Sequence, residues 1–375
     1  VRAHARHIAR LSLSRVADVR AYARRSLSRT DGADAMSQPI RAWAATAAKA
    51  ALQPFEYDPG PLGEEQVEIA VDYCGICHSD LSMLDNDWGR TRYPFVPGHE
   101  IVGRITACGP QVKGRRVGQR VGLGWFSSSC LHCGACMGGD HHLCANGEET
   151  LVGRHGGFAD RVRAHWAWAI PLPEALASAS SGPLFCGGIT VFNPIVIAGV
   201  KPTDRVGVVG IGGLGHMALA FLRHWGCEVT AFTSSESKRD EALALGAHKV
   251  VSSRDRGELK RLAGQFDFIL VTVNVALDWG LFIAALAPKG RLHFVGGVLE
   301  PIELAAFSLI GGQKSIGGSP LGSPATTAGM LEFCARHAIA PQVERFPLAR
   351  VNDALEHLRA GKARYRVVLE VGSPA

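Results

Sequence analysis

Three residues far apart in the chain have the chemistry to share one metal ion. Cys77 lies in the run Tyr73-Cys-Gly-Ile-Cys-His-Ser-Asp80, His99 in Gly98-His99-Glu100, and Cys186 in Leu184-Phe-Cys-Gly-Gly188. Two thiolates and an imidazole are zinc ligands, and three protein ligands leave a fourth position open, the pattern of catalytic rather than structural zinc. A single cysteine or histidine more often has no metal role, so the weight rests on the set. Zinc has no redox chemistry, so its work here is to polarise a carbonyl or to lower the pKa of a bound alcohol. Glu100 either approaches the metal when the fourth ligand leaves or accepts a hydrogen bond beside it. Ser79 either hydrogen-bonds the substrate oxygen or caps a helix. Asp80 either orients a ligand or pairs with an arginine.

A second cluster, Cys130, Cys133, Cys136 and Cys144, reads C-x2-C-x2-C-x7-C. Four thiolates at this spacing close a tetrahedral structural site with no place for substrate. His132, His141 and His142 are near enough to leave a Cys3His variant open. Residues 130–144 hold too many Gly and Cys to build a core and read as a lobe folded around its metal, so two zinc ions are expected per chain.

The remaining chemistry is a phosphate cradle. Gly210-Ile-Gly212-Gly213-Leu214-Gly215 follows the β-branched run Arg205–Val209 and opens an apolar-periodic helix reaching Trp225. A G-x-G-x-x-G means little alone, but between a strand and a helix it is the dinucleotide fingerprint. Gly210 permits the tight turn, Gly212 lets the backbone approach a pyrophosphate, and Gly215 allows close helix–strand packing. An NAD enzyme places an acid at the end of the next strand to hold the ribose. This chain has Thr233-Ser234-Ser235-Glu236-Ser237-Lys238-Arg239 instead. Ser234 and Ser235 can donate to a 2′-phosphate and Lys238 or Arg239 can supply charge, which predicts NADP(H). Glu236 reads as a first-turn acid of the following helix.

The elements that position these groups follow from pattern. Residues 40–125 read as short strands with glycine-rich corners, including Gln66–Tyr73, Ile101–Thr106 and Val117–Leu123. Residues 205–319 alternate strands (Cys227–Thr233, Lys249–Val251, Phe266–Val273, Arg291–Val295) with helices (Glu236–Leu245, Asp278–Ala287), the mark of a doubly wound parallel sheet. Helices Thr326–His337 and Val351–Ala360 and a last strand Tyr365–Val371 close the chain.

The totals fit this plan. A chain of 375 residues forms about two domains. There is no run of 18 apolar residues, so no transmembrane helix or membrane partner is expected. Residues 1–35 hold eight Arg against three Asp, a net of +5 out of +6, which leaves the rest at +1. The excess charge belongs to this extension and gives no support for nucleic-acid binding by the body. The extension is an upstream reading frame, a transit-like segment or a basic arm. Among ten cysteines, Cys74, Cys108, Cys227 and Cys334 have no assigned partner and read as free thiols of a reducing, cytoplasmic compartment.

With these residues in hand, the chain resembles the zinc-dependent medium-chain alcohol dehydrogenases. Within them it is similar to the cinnamyl alcohol dehydrogenase branch and the bacterial broad-range NADPH-dependent aldehyde reductases. The matching segments include YCGICHSDLSMLDNDWG (73–89), PGHEIVG (97–103), the four-cysteine lobe, GGFAD (156–160), PLFCGGITVF (183–192), GVVGIGGLGHMA (207–218) and GKARYRVVLE (361–370). The resemblance implies a GroES-like, mostly β catalytic domain from both chain ends (36–186 and 323–375) and a Rossmann domain (187–322), usually a homodimer through the Rossmann domains. It implies Cys77, His99 and Cys186 as catalytic zinc ligands, the four lobe cysteines as structural ones, and Ser79 as the relay hydroxyl. Arg364 becomes a candidate partner of Asp80. Many relatives place a relay His five residues after the first zinc cysteine, where this chain has Ser82. Few residues separate Cys144 from Gly156-Gly157, so the pocket entrance is expected to be open. Trp88 and Trp125 fall where the family lines its pocket, unless they only pack the core.

The expected function is reversible interconversion of small aldehydes and primary alcohols with NADP(H), favouring reduction of uncharged aliphatic or aromatic aldehydes. One rival is a zinc-free enone or quinone reductase of the same fold, against which the complete ligand set argues. Another is a non-catalytic NADPH-binding protein, which has no need of two zinc sites and a relay hydroxyl.

Overall fold

Two sheets built from interleaved parts of the sequence organise the molecule. The computed structural model describes residues 38–372, and the basic extension 1–35 lies outside them. The first sheet has the strand order Val343–Pro347, Arg366–Glu370, Gln66–Ile76, Glu100–Cys108, Arg120–Leu123, Ile170–Pro171, with Arg161–His165 also on Gln66–Ile76. Its pairings are antiparallel except Val343–Pro347 with Arg366–Glu370. The C-terminal strand therefore lies beside the strand that leads into Cys77, with Val367 opposite Ile76. Alternation in Gln66–Ile76 buries Val67, Ile69 and Val71 against Phe95, Phe158 and Val162, the β core of the first sheet.

The second sheet is parallel, in the order Lys249–Ser252, Glu228–Thr233, Arg205–Val209, Phe266–Val271, Leu286–Phe294, Ser315–Gly318. Crossing from the first strand in both directions is the doubly wound order, with its switch point at the C-terminal end of Arg205–Val209. Both faces are covered, and Val206, Val208, Val209, Ile269 and Leu270 are fully buried.

Three local differences from the sequence reading have physical causes. The expected helix Glu236–Leu245 is a 3-10 turn, Glu236–Lys238, followed by a short α-helix, Arg239–Ala244. Here Thr233 Oγ1 accepts the Ser235 N–H and the Ser235 and Ser237 hydroxyls pair at 2.7 Å, local bonds that compete with the helix ladder. The strand expected from Val117 starts at Arg120, because Gly118 turns the chain at φ 83°. A helix absent from the pattern, Gly187–Ile197, carries Cys186 at its N-cap and tolerates Pro194 inside it. It seats Phe192 against Phe221, Trp225 and Phe333 at 5.4–5.9 Å, an aromatic cluster shared with helices Gly215–Trp225 and Pro324–His337. No helix among the described residues is long and apolar enough to cross a membrane.

Candidate active site

Strand Gln66–Ile76 delivers Cys77 to the N-cap of helix His78–Asp85. Asp80, wholly buried, folds back so that one oxygen accepts the Cys77 N–H at 2.8 Å. Its other oxygen accepts the Gly98 N–H at 2.9 Å and faces His99 Nδ1 at 3.1 Å. Gly98 sits at φ 105°, and a Cβ there would fall 2.7 Å from Phe158, so only glycine brings His99 down beside Asp80. Nδ1–H bonded to a carboxylate fixes the tautomer and leaves the Nε2 lone pair for a metal.

Nε2 of His99 lies 3.3 Å from Cys186 Sγ, and the Cys77 and Cys186 sulfurs are 4.0 Å apart. The donor atoms of Cys77, His99, Cys186 and Glu100 all lie within 4.8 Å of one another. Tetrahedral zinc with bonds near ~2.3 Å to sulfur holds its donors about 3.8 Å apart, so these residues fit the ion. The chemistry of the donors agrees. A hydrogen bond from Cys186 pulls the Cys77 thiol well below the ordinary thiol range, against burial, and the same bond pushes Cys186 up. Burial opposes charge on His99, but the Asp80 carboxylate and, after it, Cys77 together outweigh burial and raise the ring's pKa. Burial pushes the Glu100 carboxyl up to about 7, with Arg366 opposing.

Ser79 Oγ lies 3.8 Å from Cys77 Sγ, on the first turn of the helix. Trp125 meets the His99 ring edge-on at 4.8 Å, and Trp88 meets Trp125 at 6.1 Å. Trp88 is 42% exposed, so this pair forms a rim rather than a core. Ser82 occupies the same short helix.

The second cluster is equally compact. Cys144 Sγ lies 3.5 Å from Cys130 and 3.8 Å from Cys133, and Cys130 lies 4.0 Å from Cys136. These four, without His132, His141 or His142, are the other group of metal-competent donors among the described residues. Backbone N–H groups of His132 and Cys133 favour the thiolate of Cys130 and bring it down to about 6, while burial pushes Cys136 up to about 11.

At the switch point, Gly210 turns at φ 92°. A Cβ on Gly215 would stand 1.9 Å from the Gly210 carbonyl oxygen, so helix Gly215–Trp225 packs tightly on the loop through Gly215. A Cβ on Gly212 would meet nothing within 4 Å, so the backbone here faces a cradle a side chain would fill. Leu214 is the N-cap of that helix, whose free N–H groups suit a pyrophosphate. Ser234 is exposed just past strand Glu228–Thr233. Lys238 Nζ donates to the Ile211 carbonyl at 2.9 Å, reaching back onto the glycine loop. Arg239 is instead paired with Glu236 and donates to the Val250 carbonyl at 3.1 Å.

One expected pairing is corrected. Arg364 does not reach Asp80, whose oxygens are taken by Cys77, Gly98 and His99; it pairs with Glu241 at 3.8 Å. The arginine at the metal centre is Arg366, two residues on, which forms a buried ion pair with Glu100. The sequence held a signal for it: an arginine opening the apolar run Arg-Val-Val-Leu of a buried strand demands a buried partner.

Comparison with known proteins bears on the same residues. Residues 63–174 match the family model of the alcohol dehydrogenase GroES-like domain, and residues 213–336 that of the zinc-binding dehydrogenases. The chain is 56% identical over 330 residues to aldehyde reductase AdhA of a Synechocystis species, covering 88% of this chain and 98% of the relative. The cinnamyl alcohol dehydrogenase SbCAD4 of Sorghum bicolor matches with a TM-score of 0.85 at 36% identity, over 89% of this chain and 98% of that one. The CAD of Helicobacter pylori, solved as a complex with NADP(H), matches with a TM-score of 0.81 at 28% identity, over 88% and 98% of the two chains.

Proposed function

Because this chain belongs to the zinc-dependent medium-chain alcohol dehydrogenases and is an alcohol–aldehyde oxidoreductase, we propose that it works chiefly as an NADPH-dependent reductase of uncharged aldehydes. The observation that carries this reading is the meeting of Cys77, His99 and Cys186 in a chain whose glycine loop is open at Gly212. Zinc bound there supplies Lewis-acid polarisation of the carbonyl, and NADPH supplies the hydride.

The chain's own residues do the rest. Cys77, His99 and Cys186 hold the ion, and Asp80 holds His99 and the Cys77 backbone in place. Cys130, Cys133, Cys136 and Cys144 hold a second zinc that folds the lobe. Ser79 Oγ, beside Cys77, passes a proton to the substrate oxygen, and Ser82 leaves the outer end of that path to water. Glu100 and Arg366 form a charged floor behind the ligands. Gly210, Gly212, Gly213, Leu214 and Gly215 cradle the pyrophosphate, while Ser234, Ser235 and Lys238 read the 2′-phosphate. Trp125 and Trp88 give an apolar aromatic wall. Among the described residues the arginine at this centre, Arg366, is committed to Glu100, which speaks against a carboxylate substrate. On this reading residues 36–186 with 323–375 form the catalytic domain and 187–322 the nucleotide-binding one.

Exposed Leu299, Phe307 and Ile310 lie in the segment that leads to the edge strand Ser315–Gly318, and they support a homodimer through that edge. Ten cysteines outside any disulfide, six of them placed here as metal ligands and four as free thiols, support a reducing, cytoplasmic setting.

The test is the initial rate with NADPH and with NADH, on butyraldehyde and cinnamaldehyde, before and after zinc removal. NADPH-selective turnover lost on chelation and restored by zinc is the expected result. Turnover that survives complete zinc removal, or full turnover by Cys77→Ala, sinks the zinc assignment in favour of the enone reductase reading.

A further inference from the structure

The triplet Arg364-Tyr365-Arg366 enters the last strand and connects the nucleotide loops to the metal centre. Arg364 pairs with Glu241, on the helix after the serine loop, and Arg366 pairs with Glu100. Between them Tyr365, only 4% exposed, stacks on His216 with ring centroids 4.8 Å apart and planes 9° from parallel. His216 is itself buried and hydrogen-bonds the Gly212 carbonyl through Nδ1 at 3.1 Å. The Lys238 ammonium stands over the same tyrosine ring, 5.9 Å from its centroid, while donating to the Ile211 carbonyl.

We propose that Tyr365 is a positioning residue for cofactor specificity: its ring holds the Lys238 ammonium at the rim of the glycine loop, where it reads the 2′-phosphate of NADP(H). The proposal rests on the NADP(H) reading above. Two cations follow the serines, and the structure separates them. Arg239 is neutralised by Glu236 and tied to Val250. Lys238 pairs with no carboxylate among the described residues and keeps two of its three N–H donors beyond the one given to Ile211.

A lysine loses much side-chain freedom when it is fixed on an anion. Here the ring and the Ile211 carbonyl fix it beforehand, so less is lost on binding. Burial raises the Tyr365 phenol's pKa, so the ring stays neutral, and its negative face attracts the ammonium. Both Lys238 and His216 are anchored to neighbouring carbonyls of one loop, Ile211 and Gly212, with Tyr365 in contact with each. The specificity cation is therefore held in register with the pyrophosphate cradle.

The experiment measures dissociation constants of adenosine 2′,5′-bisphosphate and 5′-AMP on the full zinc-loaded chain, by calorimetry and by displacement of NADPH fluorescence. The variants are Tyr365→Leu, Tyr365→Phe, Lys238→Ala and the Leu/Ala double. Tyr365→Leu is expected to lower the preference for the 2′-phosphorylated ligand about two- to fivefold, the span of a solvent-accessible cation–π contact. Tyr365→Phe keeps the preference, 5′-AMP affinity does not move, and the Leu substitution adds nothing once Lys238 is gone. If Tyr365→Leu does not fold, Tyr365→Met fills the same space without a π face. A preference unchanged in Leu or Met while Lys238→Ala loses it overturns the proposal. So does an equal loss for both ligands, which marks a packing role only. A wild-type chain that binds both ligands equally refutes the NADP(H) reading itself.

Discussion

Replacing Asp80 by Asn isolates what one buried carboxylate does for the metal centre. Asp80 accepts three contacts: Cys77 N–H at one oxygen, and Gly98 N–H and His99 Nδ1 at the other. An amide of the same shape has one acceptor oxygen. Turned to keep Gly98 and His99, it points its NH2 at the Cys77 N–H and leaves that buried donor unpaired, a cost of about 1–3 kcal/mol. In this orientation His99 keeps a hydrogen bond but loses the negative charge that sets its basicity, which typically lowers metal affinity or activity about 10–100-fold. The expected result is zinc binding at the Cys77–His99–Cys186 centre weakened by that range, with Tm lower by about 2–8 °C. Titration of the metal-free chain with zinc against a chromophoric chelator reads the affinity, with the four-cysteine site as internal reference. Turnover at saturating zinc then separates weak loading from misorientation. An Asn variant with wild-type zinc affinity and wild-type turnover would refute the view that the carboxylate orients His99.

Further consequences are open to direct measurement. Gly212→Ala adds a Cβ in open space, so Tm should stay near wild type while NADPH binding, read by nicotinamide fluorescence, weakens at least about tenfold; unchanged binding would remove Gly212 from the cradle. Gly75→Ala would put a Cβ 2.0 Å from Glu100 Oε2 and force the Glu100–Arg366 pair apart, costing about 1–3 kcal/mol of stability with loss of turnover; an unshifted denaturation midpoint contradicts this. The hydrogen bonds from Arg359 at 2.5 and 2.9 Å hold the Asp85 carboxyl below its ordinary range, tying helix Val351–Arg359 to helix His78–Asp85. A depressed folded pKa stabilises above the unfolded value of about 3.9 and ceases to do so as pH falls through the folded one. Asp85→Asn should thus cost roughly 0.5–1 kcal/mol near neutrality, given the exposure of Arg359, and nothing once Asp85 is protonated; urea curves at the two extremes of pH check the sign.

The parts legible in the sequence were those whose chemistry is uncommon outside a site. Thiols and an imidazole among glycines, C-x2-C-x2-C-x7-C, and a strand–glycine loop–helix each restrict the backbone as well as the ligand. Contacts made by ordinary residues at long range were not legible. Glu100 and Arg366 are 266 positions apart and meet because Arg366–Glu370 pairs with Gln66–Ile76, so choosing Arg366 over Arg364 needed the register of that pairing. Tyr365 has an unremarkable identity, and only the fold puts His216 and Lys238 on its ring. Helix Gly187–Ile197 escaped because two leading glycines and Pro194 read as breakers, whereas packing of Phe192 and Ile195 outweighs their weak propensity.

The Glu100–Arg366 pair also shows why the C-terminal segment returns to the first sheet. A buried ion pair is poor evidence of stability, because desolvation consumes much of its attraction unless the remaining donors and acceptors are satisfied. Here they are not: Glu100 Oε2 and Arg366 Nε are buried without hydrogen-bond partners. The unsatisfied carboxylate is within 4.8 Å of the metal donors. On the other side, Arg366 Nη1 lies 3.1 Å from where a Cβ on Gly213 would stand, at the glycine loop. On the function proposed above, Glu100 would therefore face the zinc ion and Arg366 the side of the glycine loop that holds the pyrophosphate. Apolar residues of equal volume would serve the fold as well or better. An ion pair set between the candidate metal centre and the glycine loop would balance charge for the two ligands, and the pairing of strand Arg366–Glu370 against the strand that delivers Cys77 is what brings Arg366 there.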